Sequence, residues 1–556
     1  MRKSGKRIKC ILALALTVAE IGIAGCGKES SDLNLEYQKS SVDYVSLYCD
    51  VNFWNPMEWS TEENTITGEI SKKTGLALNI TVPDQEADKK LSLMMLNDEM
   101  PDIISVTDTT VIGQLISSGK VWKMEDFLKT YCPDSHILKE FPQDIKEALI
   151  KRDGDWYAWP SHMNSEDSRK IWKPSSEFYE DYITYDHNYV IMWNKKLLEK
   201  LGIPEEELHT EEQVLAAFEK ASESEIKVKR QDMIPLLVDG DSYQETTLGF
   251  LQSTFGAQYL DEDGNYQDIM LQSGTKQALK FLYTALNKSD VSSDMLTIPN
   301  EQVKDYIDSG RVLCFIGNGA NTDLNAEEWI SSGAILSAEN YPPVLAKNYR
   351  ASTGWISTFI SKDCKYPEKI AAWLDYMTSN QGMELWCFGH KGQDYSINDQ
   401  GLITRTPEQE QKEERYYESG ICTWWMFVNY SWMRSKLQAP EIGSTKELEA
   451  RIFTSYGKDS NTKIYDWSPF VLPEGTIEAG SELGKMESAI DSWVKNQIPN
   501  VILASDENDF EHQYQMLIDK MYKLGIAEVD TQKNTVFQEN CKKLGISSET
   551  LKVKKE

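Results

Sequence analysis

The stretch that decides the fold runs from Tyr44 to Val106. Tyr44-Val-Ser-Leu-Tyr-Cys49 and Leu76-Ala-Leu-Asn-Ile-Thr-Val82 are short apolar runs, as is Asp102-Ile-Ile-Ser-Val106 just after Pro101. All three read as buried strands. Between them, Glu62 to Thr74 and Asp88 to Asn97 carry apolar residues at helical spacing, and Gly75 stops the first of these helices. The order strand, helix, strand, helix, strand builds a mostly parallel sheet with helices on its faces, which is the α/β class. In such sheets ligands bind beyond the carboxyl ends of the strands. Those ends are residues 50–59 and 107–110.

A second α/β region opens at Tyr189-Val-Ile-Met-Trp193. A helix over Lys195–Leu201 follows, with Gly202 as its stop, and further helices are predicted over Glu211–Ala221 and Thr275–Asn287. Arg311-Val-Leu-Cys-Phe-Ile-Gly317 is another apolar strand, and helices follow over Tyr366–Met377 and Glu511–Leu524. Asp261-Glu-Asp-Gly264-Asn265 resembles half of a calcium loop, but the ligand spacing fails and a hairpin tip is the simpler reading.

The amino terminus carries five positive charges within nine residues, then an apolar run from Cys10 to Ala19, then Ile23-Ala24-Gly25-Cys26. A basic segment, a short apolar segment and small residues describe an export signal. The run is too short for a membrane span of about 20 residues. Ile23–Cys26 resembles a bacterial lipobox, whose cysteine is acylated and becomes the new amino terminus. Glu20 departs from that pattern. The remaining seven cysteines are scattered without a CxxC pair, so they are not a disulfide framework. The 556 residues carry 58 basic against 88 acidic side chains, a formal charge of −30, which makes nucleic acid a poor partner.

Several motifs, taken in order, resemble the extracellular solute-binding proteins of bacterial ABC transporters, specifically their large sugar-binding lipoproteins. Asn97-Asp98-Glu99-Met100-Pro101-Asp102-Ile103 is similar to that family's Gly-Asp-x-Pro-Asp signature, and Asp153-Gly-Asp-Trp-Tyr-Ala-Trp-Pro160 to its Asp-Gly-Lys-x-Tyr-Gly-Leu-Pro hairpin. Tyr189 to Ile203, followed by Thr210-Glu-Glu-Gln-Val-Leu, resembles its Tyr-Asn-Lys-x-Leu-x-Lys-x-Gly stretch. Gly389-His-Lys-Gly392-Gln-Asp-Tyr395 resembles a turn of its larger members. The resemblance implies a two-lobe, periplasmic-binding-protein-like fold of type II with a hinge between the lobes. The expected division is a signal peptide over 1–25, a tether over 26–41, and a first lobe over 42–188 with a returning segment at 318–356. The second lobe is expected over 189–317 with 357–530, and a tail over 531–556. The chain is expected to cross between lobes near Tyr189–Trp193, Arg311–Asn318 and Trp355–Ile360. The implied partners are a carbohydrate, the permease of an ABC importer, and the outer face of the cell membrane through a lipid anchor on Cys26. A monomer is expected. A binding protein for a peptide or another polar solute, or a sensor accessory subunit, is the alternative.

Sugar recognition needs an aromatic plane for the apolar ring face and amides or carboxylates for the hydroxyl edge. Loop and strand-end positions that offer these are Trp54, Asn55, Trp159, Trp172, Asn318, Trp355, Trp424 and Trp425. Asp108 and Asp394 are candidate hydroxyl acceptors, and each could equally cap a helix. No serine elbow of the form Gly-x-Ser-x-Gly is present, the six histidines are isolated, and Cys387-x-x-His390 lacks a second pair. A non-catalytic receptor with no cofactor and no metal is expected.

Overall fold

Capping chemistry sets the element boundaries. Thr65 Oγ1 accepts from Gly68 N–H at 3.0 Å, so the helix expected from Glu62 begins at Ile66 and runs Ile66–Thr74. Asn194 Oδ1 accepts from Leu197 N–H at 3.2 Å to open the helix Lys195–Leu201, and Gly202 at φ 58° ends it. The computed structural model describes residues 42–50, 58–83, 87–289, 291–348, 351–472, 475–478 and 480–553. The chain divides at Ser41 into two units, and everything described lies in the second, 42–556. The expected signal peptide, tether and Cys26, and the expected contacts Trp54 and Asn55, lie outside the described residues.

The first sheet has the order Leu76–Thr81, Asp43–Cys49, Ile103–Val106, Ser357–Ile360, Trp159–Pro160. The first three strands are parallel and the last two join antiparallel. Leu47 sits opposite both Ile80 and Ile103. Both faces are covered. Val45, Leu47 and Cys49 face one core with Trp373 and Trp386, while Tyr48 faces a second with Ile104 and Phe359. Two-sided burial is why these strands read as continuous apolar runs.

The second sheet has the order Trp329–Ile330, Tyr189–Asn194, Val312–Asn318, Ile234–Val238. Cys314 lies opposite Trp193 on one side and Leu236 on the other. The helices Glu482–Ile502, Glu507–Leu524 and Ile526–Leu544 contribute Ile498, Phe510 and Val529 to its core. The molecule is therefore a mixed α/β protein of two lobes, each built on its own sheet. Among the described residues no helix is long and apolar enough to cross a membrane.

Four expectations about chain path are corrected. Strand Ser357–Ile360 pairs with Ile103–Val106, and Trp373, Trp386, Trp424 and Trp432 fill the first lobe's core, so 357–437 belongs to the first lobe. The segment 318–348 belongs to the second, because Trp329–Ile330 pairs with Tyr189–Asn194 and Val344–Lys347 with Lys463–Asp466. Residues 531–553 are no tail: Phe537 and Cys541 are buried against Phe470 and Tyr465. The strands expected as crossings are interior strands of one sheet or the other. Their long apolar runs record burial on two faces, whereas the chain passes from one core to the other within 172–188, between Lys347 and Ala351, and within 437–444.

Candidate ligand-binding cavity

A cavity of about 1380 Å³ opens between the lobes. Its first-lobe wall includes the chain leaving Pro160, with His162, Asn164 and Arg169; the turn at Gly354 and Trp355; the stretch holding Trp425, Tyr430 and Arg434; and the helix Gln143–Asp153, with Asp144, Glu147 and Lys151. The second lobe supplies Asp186, Asn188, Asn318, Asn321, Lys347 and Trp467. At one edge Lys151 Nζ of the first lobe donates to Asn540 Oδ1 of the second at 2.9 Å. Asn540 is itself held by bonds to the carbonyls of Pro469 and Val471 at 3.0 and 3.1 Å.

The first-lobe wall is aromatic. The His162 ring lies 5.3 Å from Tyr430, 5.9 Å from Trp355 and 6.5 Å from Trp425. Trp425 Nε1 donates to Cys422 O at 2.8 Å, which fixes the plane of its indole. Trp355 is 41% exposed, a large apolar face turned to solvent inside a concave site. Burial alone pushes the His162 imidazole down to about 4, so it is uncharged at neutral pH.

Charges on the wall are largely matched. Lys347 Nζ meets Asp186 Oδ1 at 2.6 Å, and Arg169 Nη1 donates to Asn164 Oδ1 at 3.0 Å. The buried Arg434 guanidinium lies over Tyr430 at 4.9 Å and over Tyr182 at 5.1 Å. Six acidic and five basic side chains line the cavity of a chain whose formal charge is −30. A near-neutral wall of flat aromatic faces and amides suits an uncharged, polyhydroxylated solute better than a polyanion or a cation.

Of the expected contacts, the cavity brings together Asn318, Trp355 and Trp425. Asn318 Oδ1 also accepts from Ala320 N–H at 3.1 Å. The other described ones lie elsewhere. Trp159 and Trp424 are buried in the first lobe's core, and Trp172 packs against that core. Trp159 and Trp172 border a small pocket of about 20 Å³ instead. Asp108 Oδ1 caps the helix Thr109–Ser117 by accepting from Val111 N–H at 2.9 Å. Asp394 is buried and accepts from His390 N–H at 2.8 Å beside Lys412. Burial raises its proton affinity, but these partners outweigh it and hold the carboxyl below its usual range. His390, beside Cys387, is engaged by Glu69 at 3.0 Å. Among the described residues no cluster of three or more metal-ligating side chains occurs. The Asp261 carboxylate takes the N–H groups of Asp263 and Asn265 at 2.9 and 2.8 Å, which is the bonding of a hairpin tip.

His162, Asn164, Tyr430 and Arg434 were not anticipated. The first two follow directly on the Trp159-Pro160 hairpin, and polar residues leaving a predicted hairpin end were the available signal. Tyr430 and Arg434 sit one turn apart on the helix Tyr430–Lys436, where nothing local marks the cavity-facing side.

A family model described as bacterial extracellular solute-binding protein matches residues 60–384, more than half of the chain. A search of curated proteins finds no match. Among solved structures, the S. pneumoniae ABC-transporter substrate-binding protein FusA in complex with kestose aligns at 14% identity with a TM-score of 0.65, covering 90% of this chain and 100% of that one. An HMO-binding, ABC-transporter-associated solute-binding protein of Bifidobacterium longum infantis aligns at 12% identity and TM-score 0.63, over 89% and 98% of the two chains. The N-glycan transport solute-binding protein NgtS of Streptococcus pneumoniae aligns at 15% and 0.58, over 90% and 99%. At such identities the likeness is one of fold.

Proposed function

The chain belongs to the bacterial extracellular solute-binding proteins, and from that premise we propose that it captures a neutral oligosaccharide between its lobes and hands it to an ABC importer. The observation that carries this reading is the cavity itself. It combines about 1380 Å³ of space, an aromatic wall at Trp355, Trp425 and Tyr430, and the amides Asn164, Asn188, Asn318 and Asn321. That volume exceeds the roughly 300–1,000 Å³ of pockets for small ligands, which favours an oligosaccharide over a single sugar. FusA is described in complex with kestose, the Bifidobacterium protein as HMO-binding and NgtS as an N-glycan transport protein, and this chain shares their fold. Binding closes the lobes about the three connecting passages, expelling water and presenting the closed form to the permease. The family's members bind rather than transform their solutes, so the energy of import comes from a separate ATPase.

Thermal unfolding of the full chain against kestose, Man1GlcNAc, milk oligosaccharides and maltotriose tests this, with peptides and divalent metals as controls. A ligand at 100 times its dissociation constant adds about 2.7 kcal/mol, a Tm rise of roughly 5–10 °C for lobes of this size. A rise with a peptide and with no glycan would keep the family and overturn the solute.

The lipobox-like Ile23–Cys26 supports a further part of the proposal, a diacyl anchor that holds a monomer at the outer face of the membrane. Cys26→Ser is expected to release the protein into the medium and abolish labelling with a palmitate analogue. Retention at the membrane would overturn the anchor.

A further inference from the structure

His162 holds a backbone conformation that a bulky side chain seldom adopts, with φ at 50°. Such strain persists only where the surroundings over-determine it, and it concentrates at ligand sites. Here the residue is pinned on both sides. Ser161 N–H donates to Ile356 O at 3.1 Å, Ile356 N–H returns a bond to Ser161 Oγ at 3.1 Å, and Met163 N–H donates to Val428 O at 3.1 Å. Gly354 packs so closely on this turn that a Cβ there would sit 2.1 Å from Ser161 O. The turn thus aims one particular side chain at the cavity, set among Tyr430, Trp355 and Trp425.

That side chain is a polar group set among three flat aromatic faces, those of Tyr430, Trp355 and Trp425. Its Nδ1 lies 2.8 Å from Ser161 Oγ. Because Ser161 Oγ already accepts from Ile356 N–H, its own proton satisfies Nδ1 and the ring proton falls on Nε2. Nε2 has no hydrogen-bond partner among the described residues. Indole and phenol faces accept almost any sugar ring, whereas a directional hydrogen bond rejects a ring whose hydroxyl points elsewhere.

We propose that His162 is the specificity-determining residue of the cavity, its Nε2 bonding the hydroxyl edge of the sugar that stacks beside it on Trp355. The assignment rests on the carbohydrate reading above. It is tested with His162→Gln, whose amide reaches the place of Nε2; with His162→Asn, which tolerates the left-handed backbone but reaches only the place of Nδ1; and with His162→Gly, which relieves the backbone. Each full-length variant is melted alone and titrated with kestose, Man1GlcNAc, milk oligosaccharides and maltotriose. His162→Asn and His162→Gly are expected to bind the preferred glycan about tenfold more weakly and to narrow the gap to the next glycan, with the Tm of the free protein held or raised. His162→Gln is expected to stay within roughly threefold of wild type, the spread of one partly kept hydrogen bond. Wild-type affinities and ranking in the Asn and Gly variants would overturn the assignment. So would losses of binding that merely track a falling Tm, since those mark a structural role. A wild-type protein that no glycan stabilises would overturn the carbohydrate reading and this assignment with it.

Discussion

Trp424→Ala is expected to destabilise the first lobe by about 4 kcal/mol, the cost of removing a fully enclosed indole and leaving a cavity. Trp424 is 0% exposed and its ring lies 5.2 Å from that of Trp59, which is itself fixed by a bond from Nε1 to Ser71 Oγ at 2.8 Å. Its Nε1 has no hydrogen-bond partner among the described residues, so the loss is one of packing, and Trp424→Phe should cost only about 1–2 kcal/mol. Trp355→Ala should behave in the opposite sense. It leaves the melting curve of the free protein unchanged and weakens the preferred glycan roughly thirtyfold, or about 2 kcal/mol. Urea denaturation with a glycan titration on both variants checks the pair. A Trp424→Ala protein of wild-type stability that fails to bind would show that the indole reaches the ligand after all.

The second large effect is a pH dependence seated in the second lobe. Asp530, on the helix Ile526–Leu544, accepts from Asp268 N–H at 3.1 Å through Oδ2, while Oδ1 is buried without a partner among the described residues. Burial raises its carboxyl to about 7; the Asp268 N–H works against the shift and the Asp268 carboxylate adds to it. The Asp268 carboxyl is raised as well, again chiefly by burial. Lys533 offers limited relief because it is bound to Glu487 at 2.8 Å. In the unfolded chain an aspartate titrates near 3.9. A folded pKa above the unfolded one means that the contribution to stability is complete below about pH 4 and drains away as the pH rises through 7. Partial solvent access reduces the full linkage value, and we expect about 2 kcal/mol of stability to be lost between pH 4 and pH 8. Asp530→Asn keeps the shape and an acceptor for Asp268 N–H. It should remove most of that slope and raise stability at pH 8 by about the same amount. Denaturant midpoints across this range give the answer, and an unchanged slope would place the buried proton on another group.

Much of the fold was legible because its determinants are local. The strand Asp43–Cys49 and the helices Lys195–Leu201 and Glu211–Ser222 lie within a residue of their predicted places. Periodicity, the Asn194 and Thr210 caps and Gly202 act over four residues or fewer. The cavity was legible only in part. Asn318 ends the strand Val312–Asn318, and Trp355 stands just before Ser357–Ile360, whose antiparallel course puts its start beside the carboxyl end of Ile103–Val106, the side on which ligands bind in an α/β sheet. Trp424 and Trp425 show where that logic stops. They are neighbours in one loop of one composition, yet the short turn beginning at Trp425 sends one indole into the core and the other to the cavity wall.

The sequence by itself determined the α/β class, the two-lobe plan through its family resemblance, the export-signal pattern at its amino terminus, and the positions of most helices and strands. Each of these is written in residues close together along the chain. Only the tertiary structure decided which lobe receives the segments 318–348, 357–437 and 531–553, and which aromatics line the cavity. Those outcomes depend on pairings such as Ile360 with Ile103, and on contacts such as His162 with Tyr430, made across more than 250 residues of chain. An apolar run states that a strand will be buried, but the hydrophobic effect is non-directional and does not name the neighbour that buries it.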